Sequence, residues 1–84
     1  MMIQAYVLVQ THVGKAGQVA HELQAIEGVM SSEPLSGPYD VVARVRAADL
    51  DHLGRLVADK IQGVGGISRT LTCVISGSAK SKRR

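Results

Sequence analysis

The spacing of apolar residues switches between a strand-like and a helix-like period along this 84-residue chain, and the order of these segments constrains the fold. Apolar and polar side chains alternate over residues 3–10, which predicts a strand. Its apolar side is formed by Ile3, Ala5, Val7 and Val9. Apolar residues then recur at helical spacing from Ala16 to Ile26, and Gly28 is a typical residue to end that helix. The first third of the chain is therefore predicted to be a strand followed by a helix.

A hairpin and a second helix follow. Residues 29–35 are predicted to be extended up to a turn at Gly37, and apolar residues alternate again over residues 41–46. Asp49 is a good N-cap for the second helix, which is predicted to end at Gly63. A glycine inside that helix, Gly54, suggests that it packs closely on the sheet.

The last strand, over residues 67–76, completes an internal duplication. The segment "IEGV" at 26–29 and the segment "IQGV" at 61–64 each end a helix and precede a strand. Two βαβ-like halves predict an α+β, ferredoxin-like βαββαβ domain over residues 1–77. With right-handed crossovers, the first and third strands are the central pair and both helices cover one face of the sheet.

Alternation along each strand predicts which side chains lie under the helices. In the last strand the covered side is expected to hold Ile67, Leu71, Cys73 and Ile75, which makes Cys73 a buried, unreactive thiol. The other side of the sheet mixes polar residues with four apolar ones: Tyr6, Leu8, Val42 and Val74. Such a face is too apolar for open solvent. It predicts a homodimer in which two sheets pack face to face, as in a dimeric α+β barrel, and the small size of the chain also favours self-association.

The positive charge of the chain is concentrated at one end. The net charge is +3, but four of the ten basic residues lie in the last five positions, at Lys80, Lys82, Arg83 and Arg84. Residues 78–84 are therefore predicted to be a disordered basic tail. RNA-recognition modules share the βαββαβ order but stack bases on aromatic side chains of their central strands. The third strand has no aromatic residue, which argues against that function.

Little in the composition indicates a metal or a cofactor. Cys73 is the only cysteine, and His12, His21 and His52 lack the spacing of metal ligands. No segment has the pattern of a signal peptide or the length of a membrane span. We therefore expect a cytoplasmic protein without a cofactor, a metal or a membrane partner.

One segment of the sequence resembles a known family. The segment "SGPYDVVARVRAADLDHLGRLVADKIQGVGGISRTLTCVI" resembles the ligand-binding domain of the Lrp/AsnC transcription regulators, also called the regulation of amino-acid metabolism domain. The family has a Gly-x-Tyr/Phe-Asp turn before its third strand, an acidic residue at the start of its second helix, and a Gly-Val/Ile and Thr-x-Thr pattern at its last strand. The corresponding residues here are Gly37, Tyr39, Asp40, Asp49, Gly66, Ile67, Thr70 and Thr72.

The resemblance implies a function and a set of partners. Members of the family dimerise through their sheets, often assemble further into octamers or other rings of dimers, and bind amino-acid effectors where dimers meet. They usually also have an N-terminal helix-turn-helix domain, for which this sequence leaves no room. We therefore expect a stand-alone sensing and oligomerisation domain that does not itself bind specific DNA, and that associates with itself or with full-length Lrp/AsnC regulators.

The expected ligand site comprises Gly37, Tyr39, Asp40, Thr70 and Thr72. Backbone amides of the turn would take the carboxylate of an amino acid, and Asp40 its ammonium group. Each residue also has a purely structural alternative: a hairpin turn for Gly37 and Asp40, an interface anchor for Tyr39, and good strand formation for the threonines. An alternative function is a small dimeric α+β barrel enzyme of the monooxygenase or isomerase type. The predicted open face offers that chemistry no His or carboxylate.

Overall fold

The computed structural model describes residues 2–75 and shows a four-stranded sheet with its helices on one side. The elements in chain order are β1 (Ile3–Thr11), α1 (Ala16–Leu23), β2 (Val29–Pro34), β3 (Val41–Ala47), α2 (Leu50–Arg55) with a π-helical continuation (Leu56–Ile61), and β4 (Ile67–Val74). The sheet order is β2-β3-β1-β4 and every neighbouring pair is antiparallel. The predicted ferredoxin-like βαββαβ order is confirmed. The predicted tail, residues 78–84, lies outside the described residues.

The core lies between the sheet and the helices. The buried side of β3 alternates with exposed or half-buried residues, as its spacing predicts. The fully or almost fully buried apolar residues are Ala5, Val7, Val9, Val19, Ala20, Leu23, Val41, Ala43, Val45, Ala47, Leu53, Val57 and Ile61. All are aliphatic, so the core is packed by small and branched side chains from two central strands and the two helical segments.

The second helix widens after Arg55, where the sequence predicted an uninterrupted α-helix. The amide of Gln62 donates to the carbonyl of Val57 at 2.9 Å, an i to i+5 bond. The buried residues Leu53, Val57 and Ile61 are each four apart. In an α-helix that spacing rotates successive side chains by about 40°. A wider turn reverses this drift, so all three side chains keep contact with the core.

A bulge in β4 overturns the predicted faces of that strand. Gln10 pairs with Arg69 but Thr11 pairs with Ile67, so Ser68 is an extra residue in the ladder. Its hydroxyl donates to the carbonyl of Gln10 at 3.1 Å. Beyond the bulge, each side chain lies on the face opposite to the one that alternation from Ile67 predicts.

Leu71 and Cys73 therefore lie on the face away from the helices, opposite Leu8 and Tyr6, whereas Val74 lies opposite Ala5 on the helix side. The prediction that Cys73 is buried was wrong, and the thiol is exposed. The physical reason is the bulge, because the prediction assumed that side chains alternate without interruption from Ile67 to Ile75.

No helix of residues 2–75 is long and apolar enough to cross a bilayer.

Candidate functional site

The β2–β3 turn, residues 35–40, is fastened to the end of β1. The amide of Leu35 donates to the carbonyl of Asp40, and the amide of Asp40 donates to the carbonyl of Val9, both at 2.8 Å. The side-chain amide of Gln10 also donates to the carbonyl of Pro38 at 3.1 Å. One hydrogen bond thus closes the turn and two join it to β1, which gives the turn a defined position at this edge of the sheet.

The carboxylate of Asp40 replaces a missing backbone partner. Val9 and Val41 are the last pair of the β1–β3 ladder, so the amide of Thr11 lies beyond the ladder and has no residue of β3 opposite it. That amide donates to Oδ2 of Asp40 at 2.8 Å, in a partly buried position. The structural alternative for Asp40 therefore has direct support, because its side chain satisfies a donor that the sheet leaves unpaired.

The same edge of the sheet collects two more loops. The amide of His12 donates to the carbonyl of Gly66 at 2.8 Å and joins the β1–α1 loop to the loop before β4. Val13 at the tip of the first loop is fully exposed, and Leu35 is 42% exposed. Tyr39, in the same turn as Leu35, is half-buried. We call this edge, formed by residues 10–14, 35–40 and 64–68, the loop edge.

Two of the predicted ligand residues lie apart from the turn. The bulge in β4 places Thr70 opposite Val9 and Thr72 opposite Val7, on the helix side of the sheet. The hydroxyl of Thr70 accepts from the side-chain amide of Gln62 at 2.9 Å. Since β1 separates β4 from β3, Thr70 is two strands, or roughly 10 Å, from the turn. The ammonium and carboxylate of an amino acid share one carbon atom, so one such ligand does not reach both Asp40 and Thr70.

Several open grooves lie on the surface of the described residues, outside the turn. One, of about 440 Å³, is lined by Gln62, Ile67, Ser68, Arg69 and Thr70. Another, of about 450 Å³, lies between the α1–β2 connection and the second helix, where it is lined by Ala25, Ile26, Glu27, His52, Arg55, Leu56, Asp59 and Lys60. No cluster of metal-ligating side chains occurs within residues 2–75.

Asp49 caps α2, as predicted, and does not contribute to the turn site. Its Oδ1 accepts from the backbone amide of His52 at 2.8 Å and lies 2.8 Å from Nδ1 of the same residue. The hydrogen bond from the His52 amide lowers the pKa of the exposed Asp49 carboxyl below its usual value.

The open face of the sheet carries an apolar row. Val42, Leu8 and Leu71 are paired directly across β3, β1 and β4. Of the four residues predicted for the dimer interface, Tyr6, Leu8 and Val42 share this face. Val74 does not, because the bulge turns it to the helix side. Leu71, which was predicted to lie in the core, lies on the open face instead of Val74 and is 46% exposed.

The next row of the open face is polar. Arg44 lies opposite Tyr6, and its Cζ is 5.6 Å from the centroid of the tyrosine ring. Nε and Nη2 of Arg44 both donate to Oε1 of Gln4, at 3.0 and 2.7 Å. The sequence alone does not predict this contact, because periodicity does not reveal a contact between side chains on two strands.

Comparison with known proteins identifies the family. The sequence model for the Lrp/AsnC ligand binding domain matches residues 4–84. The chain belongs to this family. It is 32% identical over 65 residues to an uncharacterized HTH-type transcriptional regulator of Pyrococcus abyssi, a match that covers 77% of this chain and 43% of the relative. The chain spans less than half the length of the curated relatives it matches.

Solved structures of similar fold include both short and long chains. A protein of Thermus thermophilus superposes with a TM-score of 0.84 at 27% identity, over 98% of this chain and 99% of that one. AsnC of E. coli has the same fold, with a TM-score of 0.83 at 16% identity, over 98% of this chain and 56% of AsnC. The domain thus matches a chain of its own length as well as one part of a longer regulator.

Proposed function

We propose that this Lrp/AsnC-type domain is an amino-acid-sensing and oligomerisation module that pairs with a second copy through the open face of its sheet. The observation that carries the proposal is the apolar row of Val42, Leu8 and Leu71, on a face that no helix of residues 2–75 covers. The opposite face of the same strands is closed, with Val7 and Val9 fully buried. A second sheet is the partner whose flat shape matches this face.

The regular pairing of the two central strands favours the packing of a second sheet on the open face. β1 and β3 pair without interruption from Ile3 to Val9, so their open side presents a regular surface. Tyr6 contributes a ring that is 41% exposed and carries a hydroxyl, the kind of side chain that interfaces favour. Burial of such a surface would add the stability that a domain of 84 residues has difficulty obtaining from its own core.

The sensing part of the proposal places the effector at the loop edge. Oδ2 of Asp40 is used by the Thr11 amide, which leaves Oδ1 for the ammonium group of a ligand. Within residues 2–75 the amides of Gly37 and Tyr39 donate to no protein acceptor, so they are available to a ligand carboxylate. Because Thr70 and Thr72 lie on the other side of β1, a second dimer at this edge is the better source of further ligand contacts.

We also propose that the module functions without a DNA-binding domain of its own. The Thermus protein that it matches over nearly the full length of both chains supports this arrangement. Four longer relatives are named as HTH-type transcriptional regulators and support a regulatory rather than an enzymatic role. Octamers or other rings of dimers, and mixed assemblies with full-length Lrp/AsnC regulators, are the partners that follow from this proposal.

The decisive test combines the mass of the assembly with ligand screening. Sedimentation equilibrium at micromolar concentration should show dimers or multiples of dimers. Leu8→Lys, which places a charge in the apolar row, should give monomers, whereas Leu50→Lys on the exposed start of α2 should not. A thermal-shift screen of the twenty amino acids should identify at least one stabilising ligand. A monomeric wild type would contradict the dimer, and a screen without a hit would contradict the sensing role.

A further inference from the structure

The arginines of the open face form no ion pair within residues 2–75. By register, Arg44, Arg46 and Arg69 all belong to this face, and the acidic residue paired across it is Glu33, on edge strand β2. The close contacts between basic and acidic side chains in residues 2–75 are His52 with Asp49 and Arg55 with Asp51, both on the helix side. The three arginines of the open face thus have no carboxylate partner in the described part of the chain.

Arg44 is the arginine whose position is best defined. Its guanidinium is half-buried, rests on the Tyr6 ring at 5.6 Å and gives two hydrogen bonds to one oxygen of Gln4. That oxygen belongs to a neutral amide, so the positive charge remains uncompensated. A guanidinium has five N–H donors. Two of them are used here, and the Nη1 edge is directed to no acceptor within residues 2–75.

Sheet-to-sheet pairing would enclose this charge. Arg44 lies on the central strand β3, one row from the apolar row, so a partner that covers Val42 and Leu8 also covers Arg44. Two-fold symmetry brings in a second Arg44 of the same charge. Burying unpaired cations together is unfavourable unless a counter-charge is buried with them.

We infer that the two paired sheets enclose a small oxyanion, a carboxylate or phosphate compound, between the Arg44 guanidinium groups of the two copies. This inference rests on the proposed sheet-to-sheet dimer. A planar guanidinium binds an oxyanion through two parallel hydrogen bonds, and the Tyr6 hydroxyl in the same row supplies a further donor. The site lies on the open face, away from the loop edge, so its ligand is distinct from the amino acid proposed there.

Simple screening by salt makes a different prediction from a bound anion. If the arginines only repel one another, the dimer strengthens with ionic strength whatever the anion is. If an oxyanion occupies a site, the dimer strengthens with the concentration of that anion at constant ionic strength, because only the dimer binds it. The two cases are separated by exchanging one anion for another.

The experiment measures the dimer dissociation constant of the full chain by sedimentation equilibrium in sodium chloride, sodium phosphate and sodium citrate at one pH and one ionic strength. We expect phosphate or citrate, at roughly ten times its own dissociation constant, to lower the dimer dissociation constant about tenfold relative to chloride. A stronger effect of phosphate would indicate a phosphate compound as the natural ligand, and a stronger effect of citrate would indicate a carboxylate.

Variants assign the effect to its residue. Arg44→Gln should abolish the difference between anions, and Arg44→Lys, which keeps the charge but not the planar pair of donors, should lose most of it. Arg55→Gln removes the same charge on the helix side and should keep the full difference. Equal dissociation constants in all three salts, or an anion effect that survives in Arg44→Gln and Arg44→Lys, would overturn the inference and leave the dimer intact. A monomer in every salt would overturn the dimer and the enclosed site together.

Discussion

The backbone amide of Thr11 donates to Oδ2 of Asp40 across 2.8 Å, at the point where β1 extends beyond the first pair of β3. The contact joins the turn that resembles the family's Gly-x-Tyr/Phe-Asp motif to the central strand of the sheet. Oδ2 of Asp40 therefore has a structural role, and Oδ1 accepts no hydrogen bond from another residue of 2–75. The two alternatives that the sequence left open for this residue, a turn former and a ligand contact, are compatible.

Removing the acceptor of this contact should destabilise the domain. Asp40→Ala leaves the partly buried Thr11 amide without its side-chain partner, which should cost about 1–2 kcal/mol. Asp40→Asn retains an oxygen at the same position and should cost less than half as much. Urea unfolding at one fixed protein concentration measures both, and the concentration is held constant because self-association adds to stability. Equal losses for the two variants would show that the charge of Asp40, rather than its acceptor, holds the turn.

The register of β4 gives a matched pair of substitutions on one strand. Leu71 and Val74 are 46% and 47% exposed in one chain, but the bulge at Ser68 puts Leu71 on the open face and Val74 on the helix side. Leu71→Glu should weaken the proposed dimer by tenfold or more, because it introduces a charge into the apolar row. Val74→Glu should leave the dimer dissociation constant within about threefold of wild type, well under 1 kcal/mol. Sedimentation equilibrium of the two variants measures the contrast, and the reverse order would restore the interface predicted from alternation alone.

The periodicity of apolar residues predicted the fold but not the faces on which the side chains of β4 lie. The alternation in β1 and β3 placed Val7, Val9, Val41 and Ala43 correctly in the core, because both strands are paired on two sides and contain no bulge between Ile3 and Val9. β4 lies at the edge of the sheet, where an extra residue disrupts only one ladder and leaves little trace in the sequence. Every side chain of β4 beyond the bulge was therefore assigned to the wrong face.

The candidate site was partly predictable for a similar reason. The motif of residues 37–40 identifies a turn, and the turn is where that motif places it. The acceptor of the Thr11 amide depends on how far β1 extends past β3, and the contact of Arg44 with Gln4 depends on register between strands forty residues apart. Contacts of this kind have no signature in local sequence.

Two glycines should respond to alanine in opposite directions. Gly28 has a φ of 101°, and a Cβ there would lie 3.2 Å from Cδ2 of Leu56 and 3.3 Å from the carbonyl oxygen of Arg46. Gly28→Ala should therefore cost about 1–3 kcal/mol. Gly54 lies in α2 with open space around its Cβ position, which contradicts the close packing suggested by the sequence. Gly54→Ala should stabilise the domain by about 0.5–1 kcal/mol. Thermal melts at one concentration measure both changes, and a loss of stability in Gly54→Ala would show that the second helix is packed against something at that position.

The last prediction separates the two roles of Asp40. If Oδ1 receives the ammonium group of an amino acid, Asp40→Asn removes a charge-assisted hydrogen bond of roughly 1.5–3 kcal/mol while it keeps the acceptor for Thr11. We expect the variant to remain a dimer, to melt near the wild-type temperature and to bind the amino acid found in the thermal-shift screen at least tenfold more weakly. Isothermal titration calorimetry measures the affinity. Asp49→Asn is the control, because it removes an equal charge from a helix cap outside the loop edge and should bind the amino acid as wild type does. If Asp40→Asn binds as tightly as wild type, the turn positions β3 on β1 and takes no part in ligand recognition, and Tyr39 is then best explained as an anchor between dimers.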